Sequence, residues 1–297
     1  MLSRLASSKE DFNYVALLKS CAQNKDLCKG TRIHADVVKK GFLERDPYLS
    51  TTLINMYAKC GAIEKAQQIL KEISFRDVVS WNALIAGYAQ QGQCHEAMDC
   101  FERMRNEGLT PNSVTFICML KSCGKMGDIK NGKQIHYEIV IRGLLEKDIV
   151  LGTTLVDMYA KCGLLNKAEE VLGDLMERNV VSWNVLISGY VEHGHNEEVL
   201  NFSEHMHHEG ISPDLVTLVC GLKACASLGA IEKGREMYDN VMKKSLERDI
   251  VVGNTLIDMF SKCDCITEAK DVFDKLPARN AVSWTALISG YAENGLN

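Results

Sequence analysis

Three strings in the chain are near copies of one another: VVSWNALIAGY at 78–88, VVSWNVLISGY at 180–190 and AVSWTALISGY at 281–291. They carry the chain's three tryptophans, Trp81, Trp183 and Trp284, spaced 102 and 101 residues apart. That period divides into three shorter ones. Residues 46–76, 148–178 and 249–279 form a 31-residue class marked by LINMYAKCG, LVDMYAKCG and LIDMFSKCD. Residues 77–111 and 179–213 form the tryptophan-bearing class, 35 residues long, with an incomplete copy at 280–297. Residues 10–45, 112–147 and 214–248 form the third class, 36, 36 and 35 residues long, sharing LLKSCAQ, MLKSCGK and LKACAS. Such a period constrains the fold before any local motif does. One unit cannot bury its apolar face alone, and stacked neighbours make one continuous core.

Within a unit the apolar spacing is helical. Trp81, Leu84, Ile85 and Tyr88 fall on one helix face, and Ala97, Cys100, Phe101 and Met104 repeat the pattern. The turn between them holds Gly92, matched by Gly61, Gly163, Gly194 and Gly295 elsewhere, and glycine suits the left-handed residue that ends a helix. EGLTPN and EGISPD read as stops between units. No strand alternation competes. The expectation is an all-α solenoid of helix-turn-helix repeats over 10–297, with the tryptophans as packing residues. Ser203 stands where Phe101 stands one period earlier, which predicts a loosely packed second helix there. The opening MLSRLASSKE, with no acid before Glu10, makes 1–9 a separate segment that resembles the start of an organelle transit peptide. The final unit holds one helix and a turn, so the sequence reads as a fragment.

Composition narrows the function classes. The 297 residues carry a formal charge of −5, which argues against non-specific nucleic-acid binding but leaves room for a local basic groove. No apolar run approaches the ~20 residues that span a bilayer, so no membrane partner is expected. The 12 cysteines fall at lattice positions, Cys60, Cys162 and Cys263 at one and Cys21, Cys123 and Cys225 at another. They read as small core residues, and reduced thiols fit an intracellular compartment. There is no C-x-x-C pair. Cys118 and Cys123, like Cys220 and Cys225, diverge by about 140° around a helix, a poor metal geometry. HGHNE holds His195 and Glu197 at H-x-E spacing, but without a P-C-x-x-C partner it does not make a zinc deaminase. No phosphate loop or serine triad appears. The sequence therefore reads as having no catalytic residue, no metal, no cofactor and no small-molecule substrate.

The rotation of three unit lengths, with VVSWNALIAGYAQQGQ, LINMYAKCG and GLTPNSVTF, resembles the P, L and S motifs of plant pentatricopeptide repeat proteins. The resemblance covers residues 10–297 and is to the PLS subfamily, cut short before any E or DYW deaminase domain. In that family's terms the order is L 10–45, S 46–76, P 77–111, L 112–147, S 148–178, P 179–213, L 214–248, S 249–279 and a partial P 280–297. A tetratricopeptide solenoid fits less well, because that pattern wants glycine where Ile85 stands and a uniform period.

The resemblance implies a right-handed superhelix that binds single-stranded organelle RNA, one base per repeat. The family reads a base with the fifth and last residues of a repeat. For units counted from Val78 and Val180 these are Asn82 with Asn112 and Asn184 with Asp214. For those counted from Pro47, Ile149 and Ile250 they are Thr51 with Asp77, Thr153 with Asn179 and Asn254 with Asn280, and the incomplete unit adds Thr285. By the same resemblance the aliphatic or aromatic second residues, Tyr48, Val79, Val150, Val181, Val251 and Val282, wedge beside bases. Lys59, Lys161 and Lys262 are the implied phosphate contacts. The L units put Ile117 and Val219 at the fifth position, where no hydrogen bond to a base can form. The implied reading from Thr51 is G, pyrimidine, unread, A, U, unread, pyrimidine, purine, 5′ to 3′. The implied role is to guide RNA processing in a mitochondrion or chloroplast, above all C-to-U editing, with a deaminase or other editing factor acting in trans. A protein-binding helical scaffold and an enzyme built on the histidines near His205 are the competing readings.

Overall fold

The computed structural model describes residues 2–43 and 45–295, and side chains from residue 13 onward within them. The side chains of the leader-like segment 1–9 and the last two residues of the partial unit lie outside the described residues. Seventeen α-helices and no strand occur among the described residues.

The chain divides into two compact units, Met1–Met158 and Tyr159–Asn297. The first holds α1 (Leu2–Asn24), α2 (Leu27–Lys39), α3 (Pro47–Lys59), α4 (Ile63–Glu72), α5 (Val78–Gln90), α6 (Cys94–Asn106), α7 (Ser113–Met126) and α8 (Ile129–Ile141). The border falls within α9 (Ile149–Lys161). The second holds α10 (Leu165–Asp174), α11 (Val180–Glu192), α12 (Asn196–His208), α13 (Leu215–Leu228), α14 (Ile231–Lys243), α15 (Ile250–Lys262), α16 (Ile266–Lys275) and α17 (Ala281–Glu293).

Each complete sequence repeat holds two helices among the described residues, and those lying within one compact unit pack as hairpins. In the first unit α1, α3, α5 and α7 pack in succession as one layer, and α2, α4, α6 and α8 each pack on the helix before them. The second unit repeats this with α11, α13, α15 and α17 against α12, α14 and α16. The layers differ because their neighbours differ. Helix α5, wedged between α3 and α7, buries Trp81, Leu84, Ile85, Gly87, Tyr88 and Ala89. Helix α6 buries a single stripe, Cys94, Ala97, Cys100, Phe101 and Met104, as an amphipathic surface helix does. The short class loses its residues in the outer layer: α4, α10 and α16 have 10 residues, against 13 in α6 and α12.

Glycine serves two ends here. At Gly61, Gly92, Gly163 and Gly194 φ is +73° to +81°, the left-handed conformation that closes a helix. Asp264 takes the same place at φ 60°. Inside the helices Gly87, Gly189 and Gly290 let inner-layer neighbours touch, since a Cβ there would meet Ala58 Cβ at 2.7 Å, Ala160 Cβ at 2.6 Å and Ser261 Cβ at 2.6 Å.

The tryptophans pack as expected in two of three units. Trp81 and Trp183 are 1% and 6% exposed. Their ring N–H groups donate to Glu107 at 3.0 Å and Glu209 at 3.1 Å, carboxylates also held by Arg76 and Arg178. Trp284 departs from the expectation. It is half exposed and meets Phe273 edge-on at 4.7 Å, with no helix after α17 among the described residues to cover it. At the Ser203 site a cavity of about 440 Å³ opens beside Leu200, Ser203 and Met237. Helix α12 nevertheless keeps an aromatic anchor, because Phe202 packs edge-on against Tyr190 at 4.8 Å.

Candidate functional site

The last residue of each repeat proves to be the N-cap of the next inner-layer helix. Asp77, Asn112, Asn179, Asp214 and Asn280 cap α5, α7, α11, α13 and α17, each accepting from the backbone N–H three residues on. The hydroxyls of Ser80, Thr115, Ser182, Thr217 and Ser283 complete the capping boxes. Helix capping by itself therefore favours Asn or Asp at these positions. One terminal oxygen of each is engaged by the cap.

The fifth residues sit one turn into the same helices, and the stacking returns them to the cap of the following repeat. Asn82 Nδ2 donates to Asn112 Oδ1 at 3.0 Å, and Asn184 Nδ2 donates to Asp214 Oδ1 at 2.8 Å. Asn254 Nδ2 reaches Asn280 Oδ1 at 3.4 Å. Thus three of the expected base-reading pairs meet directly. Thr51 and Thr285 instead donate to the carbonyls of Pro47 at 2.9 Å and Ala281 at 2.8 Å, so their outward oxygens can only accept. Thr153 is half-buried and belongs to the first compact unit, whereas Asn179 belongs to the second.

Burial at this rim is uneven. Asn82 and Asn184 are only 6% and 7% exposed, while Thr51, Thr153 and Asn254 are half-buried and Thr285 is exposed. Two residues that sequence reasoning missed account for this. Thr115 Oγ1 donates to Asn82 Oδ1 at 2.7 Å, and Thr217 Oγ1 donates to Asn184 Oδ1 at 2.6 Å. Their recurrence as the third residue of the L units was the available signal.

The six second residues all lie exposed, Tyr48 at 57% and Val79, Val150, Val181, Val251 and Val282 at 51–59%. Val114 and Val216 hold the same place in the L units at 53% and 43% and were not singled out from sequence. Exposed β-branched residues one turn from a row of polar groups form a repeating apolar–polar edge on each compact unit's inner-layer helices. Tyr48 is partly occupied, since Lys19 donates to its hydroxyl at 2.8 Å. Ile117 is half-buried and Val219 buried, so the L units offer no polar group at the fifth position.

The electrostatics suit hydrogen-bond recognition. Burial pushes the Asp214 carboxyl up, but hydrogen bonds from the Thr217 N–H and hydroxyl and the Asn184 amide outweigh it and hold the group below its ordinary value. Asp214 therefore stays an anionic acceptor. Lys59, Lys161 and Lys262 lie exposed at the ends of α3, α9 and α15, and Lys262 is already paired with Asp258 at 2.9 Å.

Two histidines of the cluster find local partners. His193 Nδ1 lies 2.8 Å from the Gly189 carbonyl, and His195 lies 3.5 Å from Glu198. No group of three or more His, Cys, Asp or Glu among the described residues is placed to hold a metal ion. The twelve cysteines are free thiols. Cys21, Cys123 and Cys225 are buried as expected, whereas Cys60, Cys162 and Cys263 are half-buried near helix ends. Among the described residues no helix is long and apolar enough to cross a membrane.

Comparison with known proteins adds an independent finding. A family model described as "PPR repeat family" matches residues 76–125 and 178–227, and one described as "PPR repeat" matches 49–78, 114–144, 153–180, 254–280 and 282–296. The chain is 38% identical over 285 residues to the chloroplastic pentatricopeptide repeat-containing protein At4g18520 of Arabidopsis thaliana, covering 96% of this chain and 46% of that protein. It is 39% identical over 284 residues to the putative mitochondrial pentatricopeptide repeat-containing protein At3g13770 of the same plant, covering 95% of this chain and 45% of the relative. The chain thus spans less than half the length of these relatives. Its fold matches the crystal structure of the pentatricopeptide repeat protein PPR10 from maize with a TM-score of 0.75 at 24% identity, over 90% of this chain and 39% of that one. It also matches PPR10 in complex with an 18-nt psaJ RNA element with a TM-score of 0.73.

Proposed function

The chain belongs to the pentatricopeptide repeat family, and from that premise we propose that it binds single-stranded RNA sequence-specifically, one base per reading repeat. The observation that carries this is the meeting of residues about 30 positions apart at one edge. Asn82 finds Asn112, and Asn184 finds Asp214, each pair beside an exposed valine, Val79 or Val181. Packing alone would not require a donor, an acceptor and an apolar wedge together at one edge. A base needs all three, because it offers a polar edge and a flat face. Thr51 with Asp77 offers acceptors, suiting the N–H groups of guanine. Asn184 with Asp214 offers a donor and an acceptor, suiting uracil. Asn254 with Asn280 is a further reading group, Thr285 begins another, and Thr153 and Asn179 are assigned by their place in the repeat alone. Lys59, Lys161 and Lys262 are the proposed phosphate contacts, positioning the strand without reading it.

The finer reading is a PLS-class factor that guides organelle RNA processing, with C-to-U editing performed by a domain or partner outside this chain. The names of the plant relatives support a plastid or mitochondrial setting, and PPR10 in complex with RNA supports the ligand class. No step of catalysis is assigned to the described residues. The protein-scaffold reading draws on one observation, the exposed Tyr137, Val140 and Ile141 on the outer-layer helix α8.

Binding of a labelled RNA carrying the register G, pyrimidine, any, A, U, any, pyrimidine, purine, beside a shuffled RNA of equal composition, tests the proposal. Salt is fixed, because phosphate contacts make affinity steeply salt-dependent. A clear preference for the register is expected. Equal affinity for both RNAs rejects sequence reading, and no binding by folded protein favours the scaffold.

A further inference from the structure

The amide orientations of Asn82 and Asn184 are dictated by neighbours that have no alternative. The Asp214 carboxylate can only accept, so the Asn184 atom 2.8 Å from its Oδ1 is the nitrogen. In the first compact unit the Thr115 backbone N–H can only donate, so the Asn112 atom 3.1 Å from it is the oxygen. The Asn82 atom meeting that oxygen at 3.0 Å is again the nitrogen. Both asparagine oxygens are thereby turned inward, onto the Thr115 hydroxyl at 2.7 Å and the Thr217 hydroxyl at 2.6 Å. Each hydroxyl already accepts a capping N–H, from Asn112 at 3.1 Å and Asp214 at 3.2 Å. Its single proton faces two acceptors, and the asparagine oxygen lies nearer than the capping Oδ1 of Asn112 at 3.1 Å or of Asp214 at 3.2 Å. Thr115 and Thr217 are 0% and 1% exposed, so water has no access to replace them.

We propose that Thr115 and Thr217 are positioning residues that set the hydrogen-bonding polarity of Asn82 and Asn184, so that each presents only N–H to its nucleotide and selects the carbonyl-bearing edge of a pyrimidine. This rests on the base-reading role proposed above. The third asparagine supplies the internal contrast. The paired positions are 33 residues apart at Asn82 and Asn184, but 29 apart between Asn254 and Ser283 because the unit between them is shorter. There the Ser283 hydroxyl makes only the cap contact that Thr115 and Thr217 also make, to Asn280 Oδ1 at 3.1 Å, and the Asn254 oxygen is buried without a partner. The same amino acid is therefore held at both ends of its amide in two repeats and, in the third, only by the nitrogen's longer 3.4 Å contact with Asn280 Oδ1. Asn254 discriminates its nucleotide less sharply.

The test uses four RNAs that differ only at the nucleotide facing Asn184, bound to the wild type and to Thr217→Val, Thr217→Ser and Ser80→Ala. Valine keeps the shape and removes the hydroxyl. Thr217→Val is expected to reduce the pyrimidine-over-purine preference at that nucleotide about fivefold or more, as loss of one hydrogen bond implies, and to leave the other nucleotides' preferences alone. Thr217→Ser retains the preference. Ser80→Ala removes a comparable capping hydroxyl with no bond to a fifth residue and changes no base preference. An unchanged preference in Thr217→Val, or one uniform loss of affinity matching Ser80→Ala, overturns the positioning role while base reading stands. A wild type that shows no preference at this nucleotide overturns both. Circular dichroism reports folding of each variant. If Thr217→Val does not fold, Thr115→Val in the other compact unit carries the same comparison at the nucleotide facing Asn82.

Discussion

Asparagine and threonine are both small polar residues, yet at the fifth position this fold gives them opposite characters. The Asn184 amide points its N–H outward because its oxygen is held by Thr217. Thr51 and Thr285 donate their hydroxyl hydrogens to carbonyls one turn back and leave only lone pairs facing out. Asn184→Thr should therefore replace a donor by an acceptor, and the preferred base at that nucleotide should move from U toward G in a single-nucleotide competition series. Retention of U would mean that Asp214 alone does the reading. Asp214 also carries a pH dependence. Its pKa is held below the ordinary 3.8, so its contribution to folding is complete above that value and is lost as pH falls through the lower, folded-state pKa. Asp214→Asn keeps the cap but not the charge at the helix N-terminus, which is worth about 0.3–1 kcal/mol. Urea unfolding should show wild type ahead by about that much at pH 7, with the gap closing below pH ~3.8. A gap that persists in acid would place the effect in the cap rather than the charge.

At the scale of the element, the repeats tolerate change according to layer. Gly189 lies in the inner-layer helix α11, where an added Cβ would stand 2.6 Å from Ala160 Cβ and 3.6 Å from its Cα. Neither atom can swing away. Gly173 lies in the outer-layer helix α10 with nothing within 4 Å of the same added atom. Gly189→Ala should destabilise by about 1–3 kcal/mol through overpacking. Gly173→Ala should stabilise by up to about 1 kcal/mol through helix propensity. Chemical denaturation of the pair measures both, and a shared sign would refute the division into layers. The repeat class, the two helices per unit and the left-handed glycine turns were legible in the sequence, because spacing and glycine placement are local properties. The layer difference was less so. VVSWNALIAGY shows more apolar positions than one face needs, but only the packing of α3 and α7 on either side of α5 says why.

For the whole molecule, charge bears on how the proposed RNA would be held. The formal charge is −5, and three lysines recur where phosphates are proposed. A single strand gives a slope of about −0.7 per neutralised phosphate in log K against log salt. Three contacts would give about −2, and the Asp258 partner of Lys262 makes that an upper limit for these residues. Fluorescence anisotropy across a salt series should therefore show a shallow slope. A slope near −5 would mean that phosphates are held by groups other than these lysines. Affinity would then come mainly from the base edges and the exposed valines, and specificity and affinity would reside in the same residues.

The amino-acid sequence determined the repeat lengths and the helical hairpins, because each depends on periodicity and on residue types a few positions apart. Resemblance to the pentatricopeptide repeat family pointed to Asn82, Asn184 and their partners. Only the tertiary structure decided that Asn82 and Asn184 are nearly buried, that Thr115 and Thr217 hold their oxygens, and that Asn254 lacks such a hold. Those facts depend on contacts between residues 26 to 33 positions apart. An amide's two ends are chemically distinct, but a sequence letter does not say which end faces out. The choice is made by the acceptor-only carboxylate and the donor-only backbone N–H that stacking brings beside it.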